Sequence, residues 1–242
     1  RYEVTRHDGP KALNHFQERH LWYQEAMTPK EVPATHRGTP TTPGKKKPSL
    51  GIPMGLHSME WGILWSQTFA RLGFEAIISP PTNNKIVLMG IESVNAETCF
   101  PLKVFQGHVK HLMDRVDYLF LPNPINMPTP VPEDEGIFCP LVESSQYMAK
   151  AALKIPEEQL IRPTVFLKDG PDHLARAIKA HLPHKEQRPL EEVTRAVREA
   201  WEEHSNFKNK LLVRGREILR AHGSEEPIWI VTGRPYNLYD AS

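Results

Sequence analysis

Short apolar runs alternate with amphipathic stretches through the middle of the chain. The run Ser49–Gly55 predicts a strand, and apolar residues at helical spacing over residues 58–73 predict a helix. Further strands are predicted at Ala76–Ile78 and Asp117–Pro122, with a helix that begins at Pro101 between them. This alternation indicates an α/β fold with a Rossmann-like, mostly parallel sheet and flanking helices.

The same pattern divides the chain into four parts. Residues 1–48 are polar and rich in proline, threonine and lysine, which predicts a linker or interdomain segment with a short helix before Met27. Residues 49–167 form the cysteine-bearing α/β domain, and residues 168–226 form a charged, amphipathic helical excursion from the sheet. The apolar run within residues 227–242 predicts the start of a further strand and loop of the α/β fold.

Proline and threonine give three local predictions. The run Leu160–Leu167 predicts one strand, in which Pro163 would have to lie at the edge or the beginning. Thr82 is the expected N-cap of a short helix that continues through Met89. Residues 123–138 form a loop rich in proline and acid after the third strand, a position where open α/β sheets place their sites.

Composition narrows the class of protein. The 242 residues include 30 basic and 29 acidic side chains, so no global field attracts nucleic acid or an anionic membrane surface. No apolar run approaches the roughly 20 residues that span a bilayer, and two cysteines cannot form a dense disulfide framework. A reducing cytoplasm is the simplest location. The chain starts at Arg1 without a secretory signal, and we expect a piece of a longer protein whose sheet is truncated at Ser242.

Both cysteines precede a proline and a predicted helix. Cys99 lies before Phe100 and Pro101, and Cys139 lies directly before another proline. The unpaired N–H groups and the dipole at a helix start stabilise a thiolate, which is the form of cysteine that binds metals. If the sheet brings the two helix starts together, two thiolates meet in one cleft and suit an iron–sulfur cluster. Lys103, in the first turn after Cys99, would add a positive charge.

The residues alone leave other interpretations open. Cysteine is among the most buried residue types, and this pair has no recognised metal-binding spacing, so both cysteines could be packing residues. A cysteine hydrolase or transferase would use Cys99 as nucleophile and His108 as base. That reading is weak, because nine positions along a helix give a rise of about 13.5 Å, too far for direct contact.

Several strings of the sequence resemble a known family. These are "GIPMG", "SPPTNNKIVLMGIES", "ETCFPLKVFQGH", "DYLFLP", "CPLVESSQ" and "VTGRPYNLYD". They are similar to the uncharacterised domain attached to 2-hydroxyacyl-CoA dehydratase activase-related (CoA enzyme activase) proteins, large polypeptides that also carry ATP-binding activator modules. The resemblance covers about Ser49 to Leu167 and resumes at Pro227.

This resemblance implies an oxygen-sensitive redox or electron-transfer domain, similar in architecture to the iron–sulfur 2-hydroxyacyl-CoA dehydratase subunits. In such a system an activator hydrolyses ATP to drive a low-potential electron into its partner. Cys99 and Cys139 match the expected ligands of a [4Fe–4S] cluster. Arg234 and Tyr236 match a loop that approaches the cluster or a CoA-type substrate, where the planar guanidinium of Arg234 would grip an anion.

The chain departs from that pattern because a four-iron cluster needs four coordination positions and the chain has two cysteines. The other positions would be filled by a ligand beyond Ser242, by a non-protein ligand, or by a second subunit of a homodimer; otherwise the fragment binds no cluster. It would then be a Rossmann-like module that binds CoA or docks onto an activator. The chain has no Walker-type phosphate loop, so we expect ATP to bind another domain of the parent protein. Whether the chain is itself an enzyme stays open at this stage.

Overall fold

The computed structural model describes residues 15–28, 46–94, 97–131, 133–222 and 230–240. Its main sheet contains four strands, and all of its pairings are parallel. Their order across the sheet is β2 (Glu75–Ile78), β1 (Ser49–Ile52), β3 (Tyr118–Phe120) and β5 (Leu160–Ile161). The predicted α/β fold with a mostly parallel sheet is therefore confirmed.

Helices connect these parallel strands. Helix α2 (Ser58–Arg71) joins β1 to β2, and helices α3 (Asn84–Ser93) and α4 (Phe100–Met113) lie between β2 and β3. The chain moves outward from β1 to β2 and then back across β1 to reach β3. Right-handed crossovers in opposite directions place α2 on one face of the sheet and the α3–α4 pair on the other.

Helices α3 and α4 pack with their backbones in contact. A Cβ atom added to Gly90 of α3 would lie 1.9 Å from the carbonyl oxygen of Lys103, and one added to Gly107 of α4 would lie 2.0 Å from that of Ile86. No side chain fits at either glycine without separating the helices. Asn83, and not Thr82 as the sequence suggested, caps α3 by accepting hydrogen bonds from two backbone N–H groups.

Two prolines turn the chain from the main sheet into a second one. After β3, Pro122 precedes β4 (Asn123–Asn126), and after β5, Pro163 precedes β6 (Thr164–Phe166). β4 and β6 pair in parallel, and the N–H of Asn123 donates to the carbonyl of Pro163 at 2.8 Å. The single strand predicted at Leu160–Leu167 is thus wrong, because Pro163 has no N–H to donate to a ladder and divides the run.

The loop after β4 leads to two short helices and then to the C-terminal helices. These are α5 (Pro140–Glu143), α6 (Ser145–Leu153), α7 (Gly170–His181) and α8 (Leu190–Ala221). Apolar residues of α7 and α8, including Leu174, Ile178, Val193 and Val197, are fully buried in the same core as Trp65 and Phe69 of α2. The helical segment predicted at residues 168–226 therefore shares the core of the α/β part.

Part of the polar N-terminal region forms helix α1 (His15–Met27), which confirms the predicted short helix. Tyr23 and Met27 of α1 are buried and form a second apolar cluster with Ile63 and Phe207. Residues 15–28 are accordingly packed on the domain, whereas the remainder of the predicted linker up to residue 45 lies outside the described residues.

The structure differs from the strand expected after Pro227. Residues 230–234 have no strand, and Ile230 is 82% exposed; residues 227–229 lie outside the described part. An apolar run becomes a strand when a neighbouring strand supplies its hydrogen bonds, and none of the described strands pairs with residues 230–233. A short helix, α9 (Pro235–Leu238), follows.

Candidate functional site

The loops after β1 and β2 leave the same edge of the sheet and turn to opposite faces. In open α/β sheets, ligands bind in the crevice at the carboxyl ends of the strands where the chain reverses direction. Here that crevice lies between β1 and β3. The loop after β1 contains Leu56, whose left-handed backbone (φ 47°) is uncommon for a branched residue. The carboxyl edge is therefore the place to look for a site.

Cys99 lies at this edge as the N-cap of the long helix α4. Its backbone is extended, and its carbonyl accepts hydrogen bonds from Leu102 at 3.1 Å and Lys103 at 3.3 Å. Pro101 occupies the first turn, as the sequence predicted. The side chain makes no capping hydrogen bond, and the free thiol is exposed. The Cys99 thiol is thus available at the start of a 14-residue helix.

Cys139 is also an N-cap, but of a much shorter helix. Helix α5 contains only four residues, and Ser144, which is not helical, separates it from α6. The sequence predicted a helix directly after Cys139. Because the observed helix ends after four residues, the dipole behind Cys139 is that of a single turn. The thiol is free and half-buried, and it packs against the main apolar core.

The charges of both cysteines influence the pKa of Tyr236 in α9. Burial raises the pKa of the Tyr236 phenol, Arg234 lowers it, and the charges of Cys139 and Cys99 raise it further. Charge on either thiol therefore acts on the same phenol. Tyr236 and Cys139 both pack against the main core.

A cavity of about 200 Å³ lies beside this arrangement. Its lining combines the loop after β1, the first turns of α4 and the C-terminal segment: Gly55, Leu56, Phe100, Pro101, Val104, Tyr236, Asn237 and Asp240. Lys103, predicted to offset charge near Cys99, is half-buried on α4 and is not among these residues. Arg234 is the exposed N-cap of α9, two residues before Tyr236.

His108 is not a base for Cys99, which agrees with the prediction from their spacing along α4. Its ring is fully buried, with Nδ1 2.8 Å from the Ser79 hydroxyl and Nε2 3.0 Å from the Thr82 hydroxyl. Thr82 donates its proton to Asp240 at 2.8 Å, so it accepts one from Nε2–H of His108. Burial lowers the pKa of His108 to about 4, which keeps the ring neutral near pH 7.

This hydrogen-bonded group was missed by sequence reasoning. Ser79 also accepts a hydrogen bond from the backbone N–H of Met54 at 2.7 Å, so the network joins the loops after β1 and β2 to α4 and to Asp240. The only available signal was polar residues soon after a predicted strand, as Ser79 and Thr82 are after β2. Asp240 gave none, because 158 positions separate it from Thr82.

Two structural findings concern the metal and membrane predictions. Among the described residues, no group of three or more histidine, cysteine, aspartate or glutamate side chains is placed to hold a metal ion. Over the same part of the chain, every helix is too short or too polar to cross a bilayer.

The protein is an α/β protein with a parallel sheet, and polar and thiol groups lie at the carboxyl edge of its strands. Residues 49–242 match the family described as the CoA enzyme activase uncharacterised domain, and the chain belongs to that family. The resemblance drawn from the sequence strings is thereby confirmed. Comparisons with curated proteins and with solved structures each gave no match.

Proposed function

We propose that this domain is the cysteine-bearing redox component of a CoA enzyme activase-related protein, with Cys99 and Cys139 as ligands of a [4Fe–4S] cluster. The observation that carries the proposal is that both thiols are free and each belongs to the N-cap residue of a helix, Cys99 of α4 and Cys139 of α5. Membership of the CoA enzyme activase family supports the proposal, because an ATP-driven redox role is what the resemblance to activase-related proteins implies. When bound, such a cluster supplies a low-potential one-electron carrier.

The donor set fits two positions of a cluster. Thiolates are the soft ligands that iron–sulfur clusters take, and the start of α4 offers unpaired backbone N–H groups beside Cys99. With no third ligand among the described residues, the remaining positions fall to a non-protein ligand, to residues elsewhere in the parent protein, or to a second copy of the chain.

Two positively charged residues, Arg234 and Lys103, have different roles in this proposal. Arg234 is exposed at the start of α9 and already lowers the pKa of Tyr236, so it can bind an anionic group that approaches the site. A partner surface or the phosphates of a CoA-type substrate would provide such a group. Lys103 is half-buried in the first turn of α4 after Cys99, where its charge would offset the negative charge of the cluster.

The test uses the full chain, expressed and purified without oxygen. We expect bound iron and sulfide, broad visible absorption that bleaches in air, and an electron paramagnetic resonance signal after reduction. Cys99→Ser and Cys139→Ser should each lose most of the iron, because each removes a thiolate. The neighbouring changes Thr98→Ser and Ser144→Ala are controls that should keep it. A colourless, iron-free protein, or iron that persists when both cysteines are replaced, would contradict the proposal.

A metal-free binding module is the second candidate. It is favoured by the cavity at the carboxyl edge, which is lined by Tyr236, Asn237 and Asp240 but by neither cysteine. Its ligand would be CoA or an activator surface. Calorimetric titration of the iron-free protein with CoA distinguishes the two: binding that Arg234→Met weakens, in a protein that never loads iron, favours the second candidate.

A further inference from the structure

Arg19 of α1 is a buried cation held between aromatic rings. The residue is 6% exposed, and its guanidinium carbon lies 3.4 Å from the ring centre of Tyr239 and 4.7 Å from that of Tyr23. Its Nη2 donates to the carbonyl of Met59 at 2.6 Å. The guanidinium therefore lies over aromatic rings, and its N–H donors lie in its own plane.

The charge of Arg19 has no carboxylate partner among the described residues. Glu60 is the acidic residue whose charge acts on Arg19, but the Glu60 carboxylate contacts Lys208 at 3.3 Å. Burial, the main influence, lowers the pKa of Arg19. A guanidinium has five N–H donors, and within the described part of the chain Arg19 gives a hydrogen bond to one acceptor, the Met59 carbonyl. An unpaired buried charge is costly, which indicates that an anion completes it.

Arg19 opens onto a recess of about 210 Å³ between α1 and the ends of β1 and β2. Much of the wall is apolar and is formed by Met27, Met54, Met59 and Ile78. Tyr239, Ser79 and Thr82 also line the recess. The recess therefore joins one fixed cation to a flexible, apolar surface.

We propose that this recess binds a small carboxylate with a short apolar chain. The planar guanidinium of Arg19 pairs with the carboxylate, and the chain packs on the methionines and Ile78. The size follows from the volume: a cavity of about 150 Å³ accommodates benzene, so a space somewhat larger takes an acid of about four to six carbons. This site is separate from the cysteines and does not depend on the proposed cluster.

Calorimetric titration of the full chain with butyrate tests this proposal, with butyramide and inorganic phosphate as comparison ligands. We expect butyrate to bind, and butyramide and phosphate to bind at least tenfold more weakly, since each lacks one of the two recognised features. Arg19→Met should weaken butyrate binding at least tenfold, and Arg19→Lys should weaken it less. Arg198→Met removes an exposed arginine that does not line the recess, and this variant should bind butyrate like the unchanged protein.

Folding of each variant is checked by circular dichroism, so that a lost site is distinguished from a lost fold. If Arg19→Met does not fold, the comparison of butyrate with butyramide in the unchanged protein and in Arg19→Lys still decides. Equal binding of butyrate and butyramide would overturn the role of the charge. Equal binding of phosphate and butyrate would overturn the role of the apolar wall, and no butyrate binding at all would remove the site.

Discussion

Cys99 and Cys139 each lie at the start of a helix, but the two helices differ in length and in tertiary packing. Helix α4 after Cys99 has 14 residues, packs backbone to backbone on α3, and is tied to neighbouring loops through His108. Helix α5 after Cys139 has four residues and ends at Ser144, although the thiol itself packs on the core. One cysteine has a fixed backbone and an open thiol; the other has a partly covered thiol on a short, interrupted helix.

This difference separates two ways of placing a reactive group. The position of Cys99 is set by tertiary contacts many residues away, so it depends on the whole α3–α4 pair. The position of Cys139 depends on its immediate neighbours and on the loop that enters α5. The four experiments below test that contrast, beginning with the one expected to have the largest effect.

Acid should destabilise the Cys99 side of the molecule first. Burial lowers the pKa values of His57 and His204 to about 3 and of His108 to about 4. Their unfolded pKa is about 6.5, so the unfolded state binds more protons below that pH and stability falls from about pH 6.5 downward. Each histidine should cost about 2 kcal/mol between pH 6.5 and pH 5.

Urea unfolding at pH 7.5, 6.5 and 5 measures this loss, and hydrogen exchange locates it. His108 belongs to α4, and the His57 ring lies 6.3 Å from that of Phe105 in the same helix, so α4 should lose protection before α5 and α6. In His108→Leu the dependence on pH should be about one third smaller. A free energy of unfolding that stays constant down to pH 5 would refute the neutral, buried state of these histidines.

Gly107→Ala should strongly destabilise the protein. The new Cβ would lie 2.0 Å from the carbonyl oxygen of Ile86, so α3 and α4 must separate, at a cost of about 3 kcal/mol or more. Chemical denaturation measures the change. Gly215→Ala is the matched control, since its Cβ meets no atom within 4 Å on α8 and should stabilise the helix by up to about 1 kcal/mol. Similar stabilities for the two variants would mean that α3 and α4 are not in contact as described.

The two thiols should differ in their rates of alkylation. Cys99 is exposed and Cys139 is half-buried against the core, so iodoacetamide should modify Cys99 several-fold faster in the iron-free, folded protein. Mass spectrometry of peptides at timed intervals gives both rates, and the same reaction in urea is the control in which burial no longer matters. Faster modification of Cys139 in the folded protein would reverse the assignment of the open and covered thiols.

Ser144→Ala should have the smallest effect of the four. The Ser144 hydroxyl donates to the carbonyl of Pro140 at 2.7 Å on an exposed turn, so its loss should cost under about 1 kcal/mol. Chemical denaturation measures the stability, and the alkylation rate of Cys139 reports local opening of α5. A loss as large as that of Gly107→Ala would show that the support of the two cysteines is equal.

Local patterns predicted the order of β1, α2, β2 and β3 because each of these elements has its own apolar period and end signals. The effect of Pro163 was predicted wrongly because a proline can end a strand, bend it or lie in an edge strand. Which of these occurs depends here on pairing with β4, about 40 positions earlier in the chain. β4 itself was missed, since "NPIN" has no strand-like period.

The candidate site was predictable only where the sequence carries a local signal. The prolines after Cys99 and Cys139 identified both helix starts correctly. The contact of Tyr239 with Arg19 joins the two ends of the described chain to each other, and the contact of Asp240 with Thr82 joins its C-terminal end to the segment after β2. Such contacts are set by packing of the folded chain, and no spacing rule in one sequence reports them.

The residues from Tyr236 to Asp240 act as a common cover for two separate places. Tyr236 lies beside the cysteines, Tyr239 stacks on Arg19, and Asp240 holds the Thr82 hydroxyl. Because these groups lie within five consecutive residues, the segment cannot leave one place while keeping the other fully covered. A displacement of this segment would therefore change the wall of the cavity at Tyr236 and the wall of the recess at Arg19 together.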